Sequence, residues 1–477
     1  DLLRERAKQK KREEEKRMET LKKEAEEKIE EKKKKSRKIS IIEGGFAAVS
    51  GTISERYISP FALSLGATNA QIGFLSAFPT LIGNFTQLFS HKVLERYSRK
   101  KIMVFGTTLQ SILWLFILFA AVLFFIFKLS SNFSVVYLII VYSGFVAIGN
   151  FIIPIWNSLM KDIVTKESGK YFGVRNKIIN IVSLAVLLLS GFLLDYFKKT
   201  KIYLGFFILF SCAAVARFVS SRLFFEKYEP KLQIKKEHYF TIFQFIKKMR
   251  HNNFGRFVIA ISLMNFAISI ASPFFVVYML KDLGFDYVTY TLIVSSSILG
   301  TLIFMPLWGK FIDHYGTVKT IRITSLFTCT IPLGWFLFSF LPKSFALVFF
   351  LIFIEFCSGV IFSGFSLATS NFIYDAVTRE RMALCQSYFN VITSIAVFAG
   401  TSLGSVIVSS RFFAFFGSVF LTVFLISGIL RILISLTLVP KFNEVRMVKP
   451  FKFIDVKEKI KHFRKRFFIE IFSFKAE

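Results

Sequence analysis

Asp162-Ile163-Val164-Thr165-Lys166-Glu167 returns 213 residues later as Asp375-Ala376-Val377-Thr378-Arg379-Glu380. Each stretch directly follows a long apolar run. The same offset carries Ser59-Pro60-Phe61 onto Ser272-Pro273-Phe274. An offset of 218 carries Glu95-Arg96-Tyr97 onto Asp313-His314-Tyr315, and one of 214 carries Arg217 onto Arg431. One tripeptide would be chance. Four matches in order, at a nearly constant offset, indicate an internal duplication.

Apolar runs fill both copies. They lie at about 40–65, 70–94, 101–128, 133–160, 173–196, 201–225, 254–280, 287–312, 318–341, 344–373, 385–409 and 412–439. Each is long enough to cross a ~30 Å hydrocarbon layer at about 1.5 Å per residue. The sequence predicts an all-α membrane protein of 12 transmembrane helices in two pseudo-symmetric six-helix halves. Its segments are a charged helix or tail at 1–39, a half at 40–225, a basic linker at 226–253, a half at 254–440 and a basic amphipathic tail at 441–477. Two parallel six-helix repeats are a transporter layout.

Composition agrees. Of 477 residues, 54% are hydrophobic and only 19% charged, which leaves little chain for a soluble enzyme on an anchor. The net charge of +31 would suit nucleic acid, but its distribution does not. Lys and Arg gather in alternate short loops, in the linker and in the tail. That bias predicts a multi-pass cell-membrane protein with both termini cytoplasmic. Loop 195–201, with Lys198, Lys199 and Lys201, is the exception. The basic N- and C-terminal segments are expected to attract anionic lipid. Cys212, Cys329, Cys357 and Cys385 show neither metal nor disulfide spacing. The sequence calls for no cofactor, no metal, no nucleic-acid partner and nothing beyond a monomer.

His91-Lys92-Val93-Leu94-Glu95-Arg96-Tyr97-Ser98-Arg99-Lys100 and Gly309-Lys310-Phe311-Ile312-Asp313-His314-Tyr315-Gly316 follow the second and eighth runs. They resemble the Gly-x-x-x-Asp-Arg-x-Gly-Arg-Lys loop of the major facilitator superfamily. The first copy has His91, Glu95 and Ser98 where the family has Gly, Asp and Gly; the second lacks the arginines. The resemblance covers about residues 40–440 and implies solute transport by alternating access. It implies a cytoplasmic latch, here Glu95, Arg96, Arg99, Gly309 and Asp313. Asp162 and Asp375 are expected to join that gate. The fourth run lacks the arginine of the family's proton-linked motif, and the fifth lacks the Gly-Pro motif of drug/proton antiporters.

Ionisable groups inside spans mark function by default. Glu55 and Arg56 sit near the middle of the first run. Ser262, Asn265, Ser269 and Ser272 share one face of the seventh, and the offset of 213 maps them onto Val49, Thr52, Arg56 and Ser59. The family's first, fourth, seventh and tenth helices line its path. Thr52, Arg56, Asn150, Trp156, Asn157, Asn265 and Ser269 are therefore the candidate solute-binding residues. Arg56 either binds an anionic group or pairs with an acid of a neighbouring helix. Glu55 and Glu355 are the candidates for proton coupling, or else structural carboxylates. Arg217 and Arg431 are expected to snorkel to the interface. The expected partner is a small polar or anionic solute. The alternatives are a lipid or lysolipid flippase, or a scaffold of the same fold. An enzyme has no support, since all five histidines fall in or beside loops and no HExxH or paired-Asp motif occurs.

Overall fold

The structure, a computed structural model, describes residues 2–94, 96–164, 168–198, 201–230, 241–342, 345–378, 381–410 and 414–446. Glu95 of the expected latch and the tail helix expected at 454–474 lie outside the described residues. The first half comprises α1 (Leu2–Ser64), α2 (Asn69–Gln87), α3 (Arg99–Ile126), α4 (Ser131–Ile163), α5 (Ser168–Lys198) and α6 (Ile202–Glu226). The second comprises α7 (Asn253–Asp282), α8 (Tyr287–Tyr315), α9 (Thr317–Phe338), α10 (Phe345–Ala376), α11 (Met382–Ser409) and α12 (Val419–Thr437). No strand occurs among the described residues.

Among the described residues ten helices, α3 to α12, are long and apolar enough to cross a membrane. The other two are the polar ones. The membrane part of α1 carries Glu55 and Arg56, and α2 carries Asn69, Gln71, Thr80, Asn84, Thr86 and Gln87. The helix ends alternate between two faces. One carries the linker between α6 and α7 and is called the linker face; the other is the opposite face.

The charged N-terminal segment is helical and runs unbroken into the first span, 63 residues in all. Glu and Lys at helical spacing support it, and no Gly precedes Gly44 and no Pro precedes Pro60. Its inner end is tied down. The Ser36 hydroxyl accepts from the Tyr228 amide at 2.8 Å, and the Tyr171 hydroxyl donates to the Arg37 carbonyl at 3.0 Å.

Packing repeats as the sequence does. Within the first half α2 packs on α4, α3 on α6, and α1 on α5 and α6. Within the second, α8 packs on α10, α9 on α12, and α7 on α11 and α12. The halves meet along α2 with α11 and α5 with α8, two seams that the repeat exchanges. Small residues let helices approach closely. Gly359 lies against the Ser297 carbonyl, and Gly400 and Gly404 against those of Phe266 and Ile270.

Candidate functional site

A cavity of about 220 Å³ lies between the halves, walled by α1, α5 and α8. From α1 come Thr52, Glu55 and Arg56; from α5, Asn180 and Ser183; from α8, Ser297, Ile298 and Thr301. Only Ile298 is apolar. Glu55 and Arg56 are consecutive, so they diverge by about 100° on the helix. Both nonetheless reach the same space. Neither side chain has a hydrogen bond or an ion pair within 4 Å to a described residue. Glu355, on α10, accepts from the Trp335 indole at 3.0 Å, and the Arg56 charge reaches it across the interface.

Toward the opposite face the halves are bonded together. The Asp195 carboxylate, at the end of α5, accepts from the Tyr287 and Val288 amides at 2.9 and 2.6 Å. It thus caps a helix of the other half. The orphan amides of a helix start favour an anion, and Asp195 supplies one. The Tyr57 hydroxyl bonds the Thr291 hydroxyl at 2.9 Å and donates to the Leu187 carbonyl at 2.7 Å. The Tyr290 hydroxyl donates to the Arg56 carbonyl at 2.8 Å, and Lys281 donates to the Ala67 carbonyl at 2.9 Å. The second seam is bonded nearer the linker face, where Asn390 of α11 donates to Gln87, the last residue of α2, at 2.9 Å.

At the linker face the charged pairs made by Arg99 and by Asp375 lie within one half each. Arg99, 1% exposed, pairs with Asp162 at 2.7 Å and Glu229 at 3.8 Å, and donates to the Ser158 and Pro230 carbonyls. Arg96, of the same loop, is exposed. Asp375 pairs with Arg446 at 2.6 Å. Asp313 is exposed and Gly309 stands nearly clear of its neighbours.

The other candidates do not join the cavity. Asn150 donates to Asn84 of α2 at 3.1 Å. Trp156 lies under the Arg175 guanidinium, 4.5 Å from ring centroid to carbon, and Asn157 is exposed. Asn265 donates to its own helix at Ile261, and Ser269 is buried where its carbonyl accepts from Thr401 of α11. Arg217 and Arg431 do not snorkel. Arg217 donates twice to the Gln110 amide oxygen. Arg431, 1% exposed, donates to the Thr328 carbonyl at 2.7 Å. Both find acceptors inside their half, which removes the reason to reach for water.

Two groups escape the sequence reading. One is the polar lining of α5 and α8, whose signal is Asn180 with Ser183 and Ser297 with Thr301 at helical spacing. The other is a buried ion cluster. Glu43 of α1 pairs with Lys227 at 3.1 Å and Arg175 at 3.7 Å and accepts from Ser220 at 3.1 Å. Burial pushes the Lys227 ammonium down, and Glu43 pulls it back up.

Comparisons bear on this architecture. The sequence model described as Major Facilitator Superfamily matches residues 44–401 and 257–472. No curated protein matches the sequence. Similar solved structures include these three. The nucleoside transporter NupG has a TM-score of 0.62 at 15% identity, over 85% of this chain and 98% of that one. A D-xylose-proton symporter has 0.62 at 14%, over 87% and 98%. A bacterial homologue of the human lysosomal transporter Spinster, inward-facing and unoccupied, has 0.59 at 13%, over 87% and 99%. At such identities the likeness shows the fold.

Proposed function

We propose, because this chain belongs to the Major Facilitator Superfamily, that its halves rock about the central cavity to carry a small polar or anionic solute by alternating access. The family makes it a multi-pass membrane transporter rather than an enzyme. The observation that carries the finer reading is the cavity itself, a polar space between the halves with an unpaired guanidinium in its wall. Intramembrane charge without a partner is costly, so it is kept for something that binds. Arg56 holds the anionic group, Thr52 and the α5 and α8 hydroxyls and amides hold neutral polar groups, and Glu55 and Glu355 carry a coupled proton.

In this conformer the Asp195 cap and the Tyr57 and Tyr290 bonds seal the opposite face. The Arg99–Asp162 and Asp375–Arg446 pairs are the linker-face latches, free to change partners when the halves close there. The linker face is the cytoplasmic one, the membrane is the cell membrane, and basic segments near both ends rest on anionic lipid. The polar walls suit a free solute or a head group better than a lipid tail.

The test is thermal unfolding of the purified protein against a metabolite panel at acidic and neutral pH. A ligand that binds only the folded state raises the melting point. An anionic or polar metabolite is expected to stabilise wild type but not Arg56→Ala, with a pH dependence lost in Glu355→Gln. Binding of every hit by Arg56→Ala would make Arg56 structural.

A further inference from the structure

We infer that the solute is a zwitterion, bringing an anionic oxygen group to Arg56 and an ammonium to Glu55. This rests on the transport reading above and narrows it. Elsewhere in this chain buried charges find partners: Glu43 pairs with Lys227 at 3.1 Å, Arg99 with Asp162 at 2.7 Å, and Arg431 donates to the Thr328 carbonyl. In the cavity wall, Glu55, exposed to the space, and half-buried Arg56 have none. Glu55 and Arg56 stand side by side with no hydrogen bond or ion pair to a described residue. Their helix separates them by about 100°, so they flank the space instead of satisfying each other.

The wall itself holds one acid, Glu55, and one base, Arg56. Glu355, of the other half, does not line the space; its carboxylate accepts from Trp335 at 3.0 Å and feels the Arg56 charge. A solute with only a carboxylate would bring a negative charge beside Glu55 with no cation to answer Glu55. A solute with only an ammonium would leave Arg56 without a ligand. A zwitterion gives each charge its opposite. The space of about 220 Å³ has room for a small solute and not for a water alone. A free zwitterion and the head group of a zwitterionic lipid present the same chemistry.

The experiment is thermal-shift titration of the full purified chain. The probes are L-glutamine and glycine as free zwitterions, propionate, ethanolamine, xylitol, and lysophosphatidylethanolamine as the lipid form. A free zwitterion is expected to raise the melting point saturably and to bind at least on the order of thirtyfold more tightly than propionate or ethanolamine. Arg56→Ala should lose this binding while Arg56→Lys, which keeps the charge and checks folding, retains part of it. Glu55→Gln should narrow the preference for glutamine over propionate, and Glu355→Gln, outside the wall, should narrow it less. A preference for lysophosphatidylethanolamine over L-glutamine upholds the zwitterion and makes its source a lipid. If propionate, ethanolamine or xylitol binds as tightly as the zwitterions, or no zwitterion binds, the inference is overturned. The transport reading survives that result if another metabolite of the wider panel binds wild type and is lost in Arg56→Ala.

Discussion

The two halves keep acids in matching places and answer them with different cations. Asp162 and Glu229 in the first half correspond to Asp375 and Glu444 in the second, 213 and 215 residues on. In the first half both acids share Arg99, the buried first residue of α3. Its counterpart at an offset of 218 is Thr317, which is uncharged and donates to Glu444 at 2.8 Å. The cation for Asp375 comes instead from Arg446, beyond α12. The interior arginines differ in the same way. Arg217 takes a side-chain acceptor, Gln110. Arg431 takes the backbone carbonyl of Thr328, the residue at Gln110's place in the repeat. That carbonyl is open because Pro332 has no N–H to return to it, and α9 breaks there. Duplication has repeated the geometry while each half has found its own chemistry to satisfy it.

The largest expected effect comes from a feature the second half lacks. Glu43 maps onto exposed Arg256, so its buried cluster belongs to the first half alone. Glu43→Gln leaves buried Lys227 without its counter-ion and should cost about 3–5 kcal/mol, read as thermal unfolding in detergent. The pH dependence has a definite sign. Lys227 is already pushed down by burial. Without Glu43 it falls further below the unfolded value of about 10.4, and the unfolded chain binds more protons. Stability of the variant should therefore rise with pH through that window. A pH-independent melting point equal to wild type would remove the asymmetry between the halves.

A smaller difference separates the two latches. Arg99→Ala should cost about 1.5–3 kcal/mol, because a buried arginine loses hydrogen bonds to charged groups. Arg446, 41% exposed, sits in a screened pair, and Arg446→Ala should cost less than about 1 kcal/mol. Equal losses in denaturant unfolding would show that the latches are equivalent after all. The smallest effect tests the Pro332 argument. Arg431→Leu strands the Thr328 carbonyl, and Pro332→Ala supplies an N–H to it. The double variant should therefore recover about 1 kcal/mol relative to simple addition. Strict additivity would break the account of Arg431.

The fold was legible because apolar runs and a duplication are properties of the chain alone. Arg56 was legible because the repeat offset laid it on the polar face of α7. That face misled in part, since Ser269 and Ser262 turn to α11. Ser297 and Thr301 were hidden because a hydroxyl in an apolar run looks the same when it merely bonds its own helix, as Ser295 does at Leu292. The Glu43 cluster was hidden because its cations lie on α5 and beyond α6. Arg96 and Arg99 sat in one loop with nothing to rank them; only the second falls on the first turn of α3 and turns inward.

The claim that the halves rock about the Arg56 cavity is tested most directly by distance. Spin labels at Lys161→Cys and Thr378→Cys, both exposed at the linker face, report the separation of α4 and α10 in a cysteine-free background. Asp195→Ala removes the cap that seals the opposite face. The account predicts that the linker-face distance shortens in that variant, and that a bound solute moves it further toward the short population. A distribution unchanged by both the variant and saturating solute would contradict it.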